Sequence, residues 1–262
     1  MTALATARRH RFAPVLLMLL ALFAVGGFYA AFAPAPAVAQ TDSAEDIEQG
    51  EKLFQSNCAS CHGVSAEGRD EVAPSLIGVG AASVHFQVST GRMPMAGSAP
   101  QAPAKSPQFN AEQTRQLAAF VATLGPGPAS PSGPQIDPAL GDAANGMLIF
   151  RTNCAMCHNA VGAGGALSEG KYAPSLFTTT PQQIYEAMLT GPQSMPVFND
   201  ANITEEEKRD VIAFLMEQRD PNASPGGANL GAVGPVSEGM WVWIIGMGAL
   251  IGAAVWIGAK SS

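Results

Sequence analysis

A five-residue pattern, Cys-x-x-Cys-His, occurs twice in this chain of 262 residues and limits what the chain can fold into. The two copies are Cys58-Ala-Ser-Cys61-His62 and Cys154-Ala-Met-Cys157-His158. Two thiols at this spacing can add to both vinyl groups of one haem, and the adjacent histidine can then bind the iron. The alternative is a pair of redox or zinc Cys-x-x-Cys sites with accidental histidines, which the repetition disfavours. The sequence therefore predicts two covalently bound haem c groups.

Composition narrows the classes of function that are open to this chain. All four cysteines lie in the two motifs, so none is left for a structural disulfide or a catalytic thiol. The formal net charge of −7 argues against nucleic acid as a partner. It also distinguishes this chain from small basic electron carriers, whose positive charge steers them to their partners. Charged residues make up only 13% of the chain, as expected of loop-rich domains joined to apolar membrane segments.

An apolar stretch near the N-terminus, residues 12–32, comes directly after Arg-Arg-His-Arg at positions 8–11. Positive flanks stay in the cytoplasm, so this segment is expected to export the remainder of the chain. The pattern Ala-Val-Ala at 37–39 is typical of signal-peptide cleavage, although the apolar run exceeds the usual core of about 7–15 residues. We predict that residues 1–39 are a signal peptide, with a retained anchor as the alternative. Either way, the two motifs lie outside the cytoplasm.

A second apolar stretch, residues 240–258, carries no charge and is followed by Lys260. A transmembrane helix needs about 20 apolar residues, and this run has two tryptophans near its start, as at a membrane interface. The sequence predicts a transmembrane helix in the cell (plasma) membrane, with its C-terminus in the cytoplasm. A Gly/Ala/Pro-rich stalk, residues 221–239, precedes it.

Between the apolar ends the chain repeats itself. Gly50, Phe54 and Asn57 recur as Gly146, Phe150 and Asn153, at the same offset as the motifs. Ala-Pro-Ser-Leu occurs at 73–76 and at 173–176, and a Met-Pro pair follows each, at 93–94 and 195–196. We predict two copies of one domain, residues 44–124 and 141–220. The Pro-rich linker between them, residues 125–140, is expected to be extended and semi-rigid.

Each copy is expected to be mostly helical. The predicted helices cover residues 46–56, 82–89 and 111–124 in the first copy, and 143–152, 181–189 and 204–218 in the second. Asn110 and Thr204 are predicted N-caps, and Glu207 completes a capping box with Thr204.

Two smaller features of the repeat have structural interpretations. The glycine on the first helix, Gly50 in the first copy, is expected to let the last helix cross closely, with Phe120 or Phe214 against it. The segment 98–108 has no counterpart in the second copy. It is predicted to be a surface loop, used in a partner contact or simply a neutral insertion.

A haem iron bound by one histidine needs a sixth ligand, and a methionine thioether raises its potential. The best candidates are Met93 and Met195, because each precedes a proline, which holds the preceding backbone extended. Met95 and His85 are alternatives for the first haem, where His85 could also be simply a partly exposed helical histidine. Met156 and Met188 are interpreted as packing residues.

The prolines of the two Ala-Pro-Ser-Leu segments are candidates for a supporting role. A ligating histidine usually donates its other N–H to a carbonyl or carboxylate, which fixes the ring. Pro74 follows His62 along the chain, and Pro174 follows His158. Each proline could present its carbonyl oxygen to the ring of that histidine. Plain turn prolines are the alternative.

The repeated order of motif, Pro loop, middle helix, Met-Pro loop and closing helix resembles a class I cytochrome c domain. The match covers residues 46–124 and 141–219. The whole layout is similar to the dihaem cytochrome c subunit of the actinobacterial menaquinol–cytochrome c reductase, the cytochrome bcc complex. This resemblance implies a mainly α fold of two tandem class I cytochrome c domains, a C-terminal transmembrane helix and an N-terminal export or anchor segment.

The same resemblance implies a role in respiratory electron transport. In that family the subunit takes electrons from the Rieske iron–sulfur protein and passes them to a haem-copper cytochrome c oxidase in a supercomplex. The chain would then be the electron-transfer subunit of a translocase, with a cytochrome b subunit among its partners and quinol oxidation in the other subunits.

Other classes of function are also compatible with two haem motifs. One alternative is a dihaem electron-transfer subunit of a cbb-type oxidase or of a periplasmic dehydrogenase. A dihaem peroxidase needs one haem with an open or displaceable position, and two Met-Pro loops argue against it. A haem-based sensor is disfavoured because the sequence contains no signalling domain.

Overall fold

The structure is a computed structural model that describes residues 12–32, 43–97, 99, 101–219 and 235–260. Within these ranges the chain is mainly helical, as predicted. The helices are α1 (Ala13–Phe32), α2 (Ala44–Asn57), α3 (Ala59–His62), α4 (Gly80–Ser89), α5 (Ala111–Ala122), α6 (Ala143–Asn153), α7 (Ala155–His158), α8 (Pro181–Thr190), α9 (Glu205–Glu217) and α10 (Pro235–Lys260). A short antiparallel hairpin pairs β1 (Gly165–Ala166) with β2 (Tyr172–Ala173).

The two repeats contain the same four helices in the same order, α2 to α5 and α6 to α9. The longer helices begin and end within two residues of their predicted bounds. The predicted capping box is present, since Thr204 Oγ1 accepts from the amide of Glu207 and the Glu207 carboxylate accepts from the amide of Thr204. Asn110 caps α5 in the same way, with Gln113 as its reciprocal partner. These local signals fix where the helices start.

The first and last helices of each repeat cross at a glycine. A Cβ atom on Gly50 would clash with the carbonyl group of Gln116 on α5, and one on Gly146 would clash with Asp210 on α9. Phe120 lies beside Gly50, as predicted. The paired phenylalanines of the two helices are also in contact with their rings tilted to each other, and the ring centroids are 5.3 Å apart for Phe54–Phe120 and 5.4 Å for Phe150–Phe214. The close crossing therefore holds the apolar core of each repeat together.

The linker differs from its prediction. Residues 125–140 contain two 3-10 turns, Gly133–Gln135 and Pro138–Leu140, rather than one extended run. Its first part packs against α4, where the amide of Ala82 donates to the carbonyl of Pro128 at 3.1 Å. Backbone polar groups of a linker can be satisfied by a neighbouring helix as well as by water, and here α4 supplies the partner.

Two long apolar helices lie towards the ends of the chain. The described part of α1 is a 20-residue helix, Ala13–Phe32. Within α10, Gly239–Ala259 is long and apolar enough to cross a membrane, and among the described residues it is the one helix that passes this test. The predicted positive flank at 8–11, the cleavage pattern at 37–39 and residues 221–234 of the stalk lie outside the described residues.

Candidate haem sites

Each Cys-x-x-Cys-His motif lies at the junction of two helices. In the first repeat the amide of Cys58 donates to the carbonyl of Phe54 at 2.8 Å, and the amide of His62 donates to Cys58 at 2.9 Å. The bonds of Cys154 and His158 in the second repeat have the same lengths. The backbone therefore presents two thiols and one imidazole in the same way in both repeats.

The histidine of each motif is bound through one ring nitrogen to a proline carbonyl. Nδ1 of His62 lies 2.8 Å from the carbonyl oxygen of Pro74, and Nδ1 of His158 lies 3.0 Å from that of Pro174. A carbonyl oxygen only accepts, so Nδ1 must carry the proton in both rings. Nε2 then keeps its lone pair, which is the form of imidazole that binds a metal.

The Met-Pro loops bring a methionine to the same core that supports the motif. In the first repeat Cys58 and Met93 both pack against the cluster around Phe54 and Phe120. In the second repeat Cys154 and Met195 pack against the cluster around Phe150 and Phe214. Side chains that are far apart in sequence thus pack against the same apolar core in each repeat.

The electrostatic surroundings favour neutral forms of these side chains. Burial, together with a smaller effect of the second cysteine of each motif, raises the pKa of the Cys58 and Cys154 thiols to about 11. Burial also lowers the pKa of His158, while its bond to the Pro174 carbonyl acts in the opposite direction. A neutral imidazole is the state in which histidine can be an iron ligand.

The residues present fit covalently bound haem in both repeats. All four thiols are free, each motif histidine keeps Nε2 available, and a thioether lies on the same apolar core. Cysteine, histidine and methionine are the donors that a cytochrome c uses. When bound, the haem would supply one-electron iron chemistry, and the protein would set its ligands and its access to water.

The other ligand candidates have different surroundings. Nδ1 of His85 donates to a carboxylate oxygen of Glu186 at 2.7 Å, so its ring is engaged with the second repeat. Met95 is absent from the described side chains that pack on the first core. Met188 is 2% exposed and packs as predicted. The packing role predicted for Met156 is wrong, since this side chain is 92% exposed.

Sequence reasoning missed the contact between the two repeats. Glu186 on α8 is fully buried and accepts hydrogen bonds from His85 of α4 and from Gln182, at 2.7 and 3.0 Å. In the aligned repeats Glu186 stands where the first repeat has Phe86. A carboxylate on an otherwise apolar helix face is the signal that could have indicated a buried partner.

Comparison with known proteins identifies the family. The sequence matches the family described as "Cytochrome C oxidase, cbb3-type, subunit III" over residues 45–121 and 141–215. The "Cytochrome bc1 complex cytochrome c subunit" of Mycobacterium tuberculosis is 46% identical over 260 residues, which cover 97% of this chain and 92% of that protein. The protein of that name in Corynebacterium efficiens is 46% identical over 241 residues, 86% of this chain and 80% of that protein. This chain belongs to the family of cytochrome bc1 complex cytochrome c subunits.

A cytochrome c subunit of the bc1 complex is an electron-transfer component of a quinol–cytochrome c reductase. The cytochrome c domains of this subunit imply haem c, and its family name implies that it works with other bc1 complex subunits. One apolar helix of spanning length fits a membrane-anchored subunit. The match to an oxidase subunit covers less of the chain. The "Cbb3-type cytochrome c oxidase subunit FixP" of Rhizobium meliloti is 39% identical over 88 residues, which are 31% of this chain and 28% of that protein.

Proposed function

We propose that this subunit carries two haem c groups and relays single electrons from the Rieske iron–sulfur protein to a terminal haem-copper oxidase. The observation that carries the proposal is the duplication of one complete donor set on one chain: two thiols, a carbonyl-bound histidine and a core-packed methionine. Two such sites on a membrane-anchored chain suit a fixed relay better than they suit a diffusing carrier.

This geometry supports a specific ligand set for each haem. The first haem is held by Cys58, Cys61, His62 and Met93, and the second by Cys154, Cys157, His158 and Met195. Met93 is preferred over Met95 and His85 because it packs on the core that also contacts Cys58. Pro74 and Pro174 hold the two histidine rings through their carbonyl oxygens.

Each part of the chain has a distinct task in the relay. The proline carbonyls keep the proton on Nδ1, so that Nε2 binds iron in a fixed ring orientation. The apolar cores exclude water from one side of each site, and the two thioethers favour ferrous iron. No bond to carbon or oxygen is made or broken in this chain, since each iron only gains or loses one electron.

The membrane arrangement is also part of the proposal. We place both repeats on the extracytoplasmic side of the cell membrane, exported by the N-terminal segment and anchored by α10. Trp241 and Trp243 lie at the start of the spanning segment and Lys260 at its end, which suits an outer aromatic anchor and a positive cytoplasmic end.

A cbb-type oxidase subunit is the second candidate function, because the matching family carries that description and the oxidase relative aligns with part of the chain. The two functions predict different partners. The proposed relay requires a cytochrome b subunit and a Rieske protein, whereas the second candidate requires the catalytic subunit of a cbb-type oxidase and neither of the other two.

Co-purification from native membranes tests the proposal. A tagged chain solubilised in mild detergent should bring down a cytochrome b, a Rieske protein and a haem-copper oxidase, with two haem c per chain by haemochrome absorbance. A Cys154→Ala/Cys157→Ala variant should retain one haem. Recovery with a cbb-type catalytic subunit or with a dehydrogenase instead, or of the chain alone, would overturn the proposed function.

A further inference from the structure

The segment that interrupts the first repeat contacts the second repeat. Residues 98–108 have no counterpart in the second copy, and within them Ala102 is only 3% exposed. The predicted surface loop is therefore partly buried, and the contacts of its described residues show what covers it.

Gln101 binds the backbone of Tyr172 at two points. Its Nε2 donates to the Tyr172 carbonyl at 2.7 Å, and its Oε1 accepts from the Tyr172 amide at 3.0 Å. Tyr172 belongs to β2, which pairs through Ala166 and Gly165 with β1 on one side. The primary amide of Gln101 thus satisfies the backbone of Tyr172 as a neighbouring strand would.

Ala102 binds a second loop of the same domain. Its amide donates to Oε1 of Gln193 at 3.1 Å. Gln193 has a φ of 59°, a left-handed conformation that favours glycine, and it lies in a tight turn closed by the Met195 amide on the Pro192 carbonyl at 3.1 Å. The side chain of a corner residue in this turn is therefore tied to the first repeat.

These two loops adjoin the residues of the second proposed ligand set. Tyr172 lies two residues before Pro174, whose carbonyl holds His158, and Gln193 lies two residues before Met195. At the position equivalent to Tyr172 in the first repeat, the amide of Val72 instead donates to the Arg69 carbonyl within its own loop, at 3.0 Å. Two adjacent residues of one domain therefore reach both ligand loops of the other.

We propose that Gln101 and Ala102 form a positioning segment for the second haem, in which Gln101 acts through Tyr172 and Ala102 acts through Gln193 to keep His158 and Met195 at the iron. The proposal rests on the ligand set given above. It makes the axial bonds of the second haem depend on the docking of the first repeat, and it gives the insertion a role in setting the properties of that haem.

The test measures how strongly the iron–methionine bond resists replacement by imidazole, a competing ligand. It uses the intact two-haem protein in detergent. In Gln101→Ala the second haem should bind imidazole with a dissociation constant about fivefold lower, because one net hydrogen bond changes an equilibrium constant by about that factor. The imidazole affinity of the first haem should stay unchanged. A Met195→Ala variant identifies the signal of the second haem. Gln108→Ala is the matched control, because Gln108 is the same residue type in the same segment and is exposed.

Two outcomes would overturn the inference: imidazole affinity in Gln101→Ala equal to that in Gln108→Ala, or an equal change at both haems. If Gln101→Ala does not fold, Gln193→Asn weakens the second contact of the segment, the one with the Ala102 amide, while tolerating a positive φ. Wild-type imidazole affinity in that variant overturns the inference equally. A second haem without a thioether–iron absorption band in the wild type would count against the proposed ligand set itself. With that band present, an unchanged imidazole affinity counts against the positioning role alone.

Discussion

Met93 is distinguished from Met95 by its surroundings, whereas Met195 shares its core with Met147, Met188 and Met216 and is distinguished by its place in the Met-Pro loop. The chain has 11 methionines, and a flexible thioether fills apolar gaps as readily as it binds iron. Met93 packs on the core that also contacts the first motif, and Met195 does the same in the second repeat. Met156, between the cysteines of the second motif, is almost fully exposed.

Replacing Met93 with Ala should abolish the first haem's share of the thioether–iron absorption band in the far red. The physical reason is that no other thioether packs on the described first core. Absorbance of the oxidised, purified protein measures the band. Met95→Ala is the matched control and should leave the band at full strength, and a reversed result for the two variants would assign Met95 as the ligand.

At the scale of helices, the crossing of the first and last helix in each repeat depends on the absence of a side chain. Replacing Gly50 with Ala should destabilise the first repeat by about 1–3 kcal/mol, since the added methyl group meets backbone rather than a movable side chain. Thermal unfolding of the haem-loaded protein measures the loss. Gly97→Ala is the control, because a Cβ there meets nothing within 4 Å. Equal stability of the two variants would contradict the close crossing.

A second helix contact, between α4 and α8, joins the two repeats. His85 and Gln182 satisfy the buried Glu186 carboxylate, and Gln183 donates to Ser89 at 3.0 Å across the same contact. A buried carboxylate stabilises a contact only while its partners are present. These polar groups between α4 and α8 therefore contribute to the relative placement of the two repeats, together with the contacts of Gln101 and Ala102.

Replacing His85 with Leu should cost about 1–3 kcal/mol, because Glu186 stays buried without its ring partner. Thermal unfolding should show a midpoint lower by roughly 2–4 °C for each kcal/mol. Glu48→Gln is the control, since it breaks an exposed ion pair of equal length, 2.7 Å, with Lys52 within one helix. The double variant His85→Leu/Glu186→Leu should recover part of the loss. A midpoint equal to that of Glu48→Gln would show that the pair does not hold the repeats together.

At the scale of the whole molecule, the spanning segment 239–259 is the proposed anchor. Ending the chain at residue 219 should release a two-haem protein from the membrane into the extracytoplasmic soluble fraction, because no comparable apolar surface remains after signal-peptide removal. Haem staining of membrane and soluble fractions measures this. Gly246→Ala, which adds a methyl group to α10 without meeting other atoms, should stay in the membrane. A truncated chain that resists alkaline extraction from membranes would indicate a retained N-terminal anchor.

The sequence by itself determined the features that depend on near neighbours in the chain. The thiol spacing of each motif, the periodicity of the helices and the cap at Thr204 are set within a few residues, so they could be derived without a fold. The internal repeat extended this reasoning, because matching Met-Pro and Ala-Pro segments identified equivalent positions in two copies. Met156 shows the limit, since composition favours packing for a methionine and only the fold exposes this one.

Only the tertiary structure decided the features that join distant parts of the chain. Gln101 and Gln108 are identical side chains in one segment, yet only the first lies where the second repeat offers an amide and a carbonyl. His85 became the partner of Glu186 because α4 meets α8, a contact between residues about a hundred positions apart. Such contacts follow from how two folded surfaces pack, and that packing depends on all the residues of both surfaces together rather than on any local pattern.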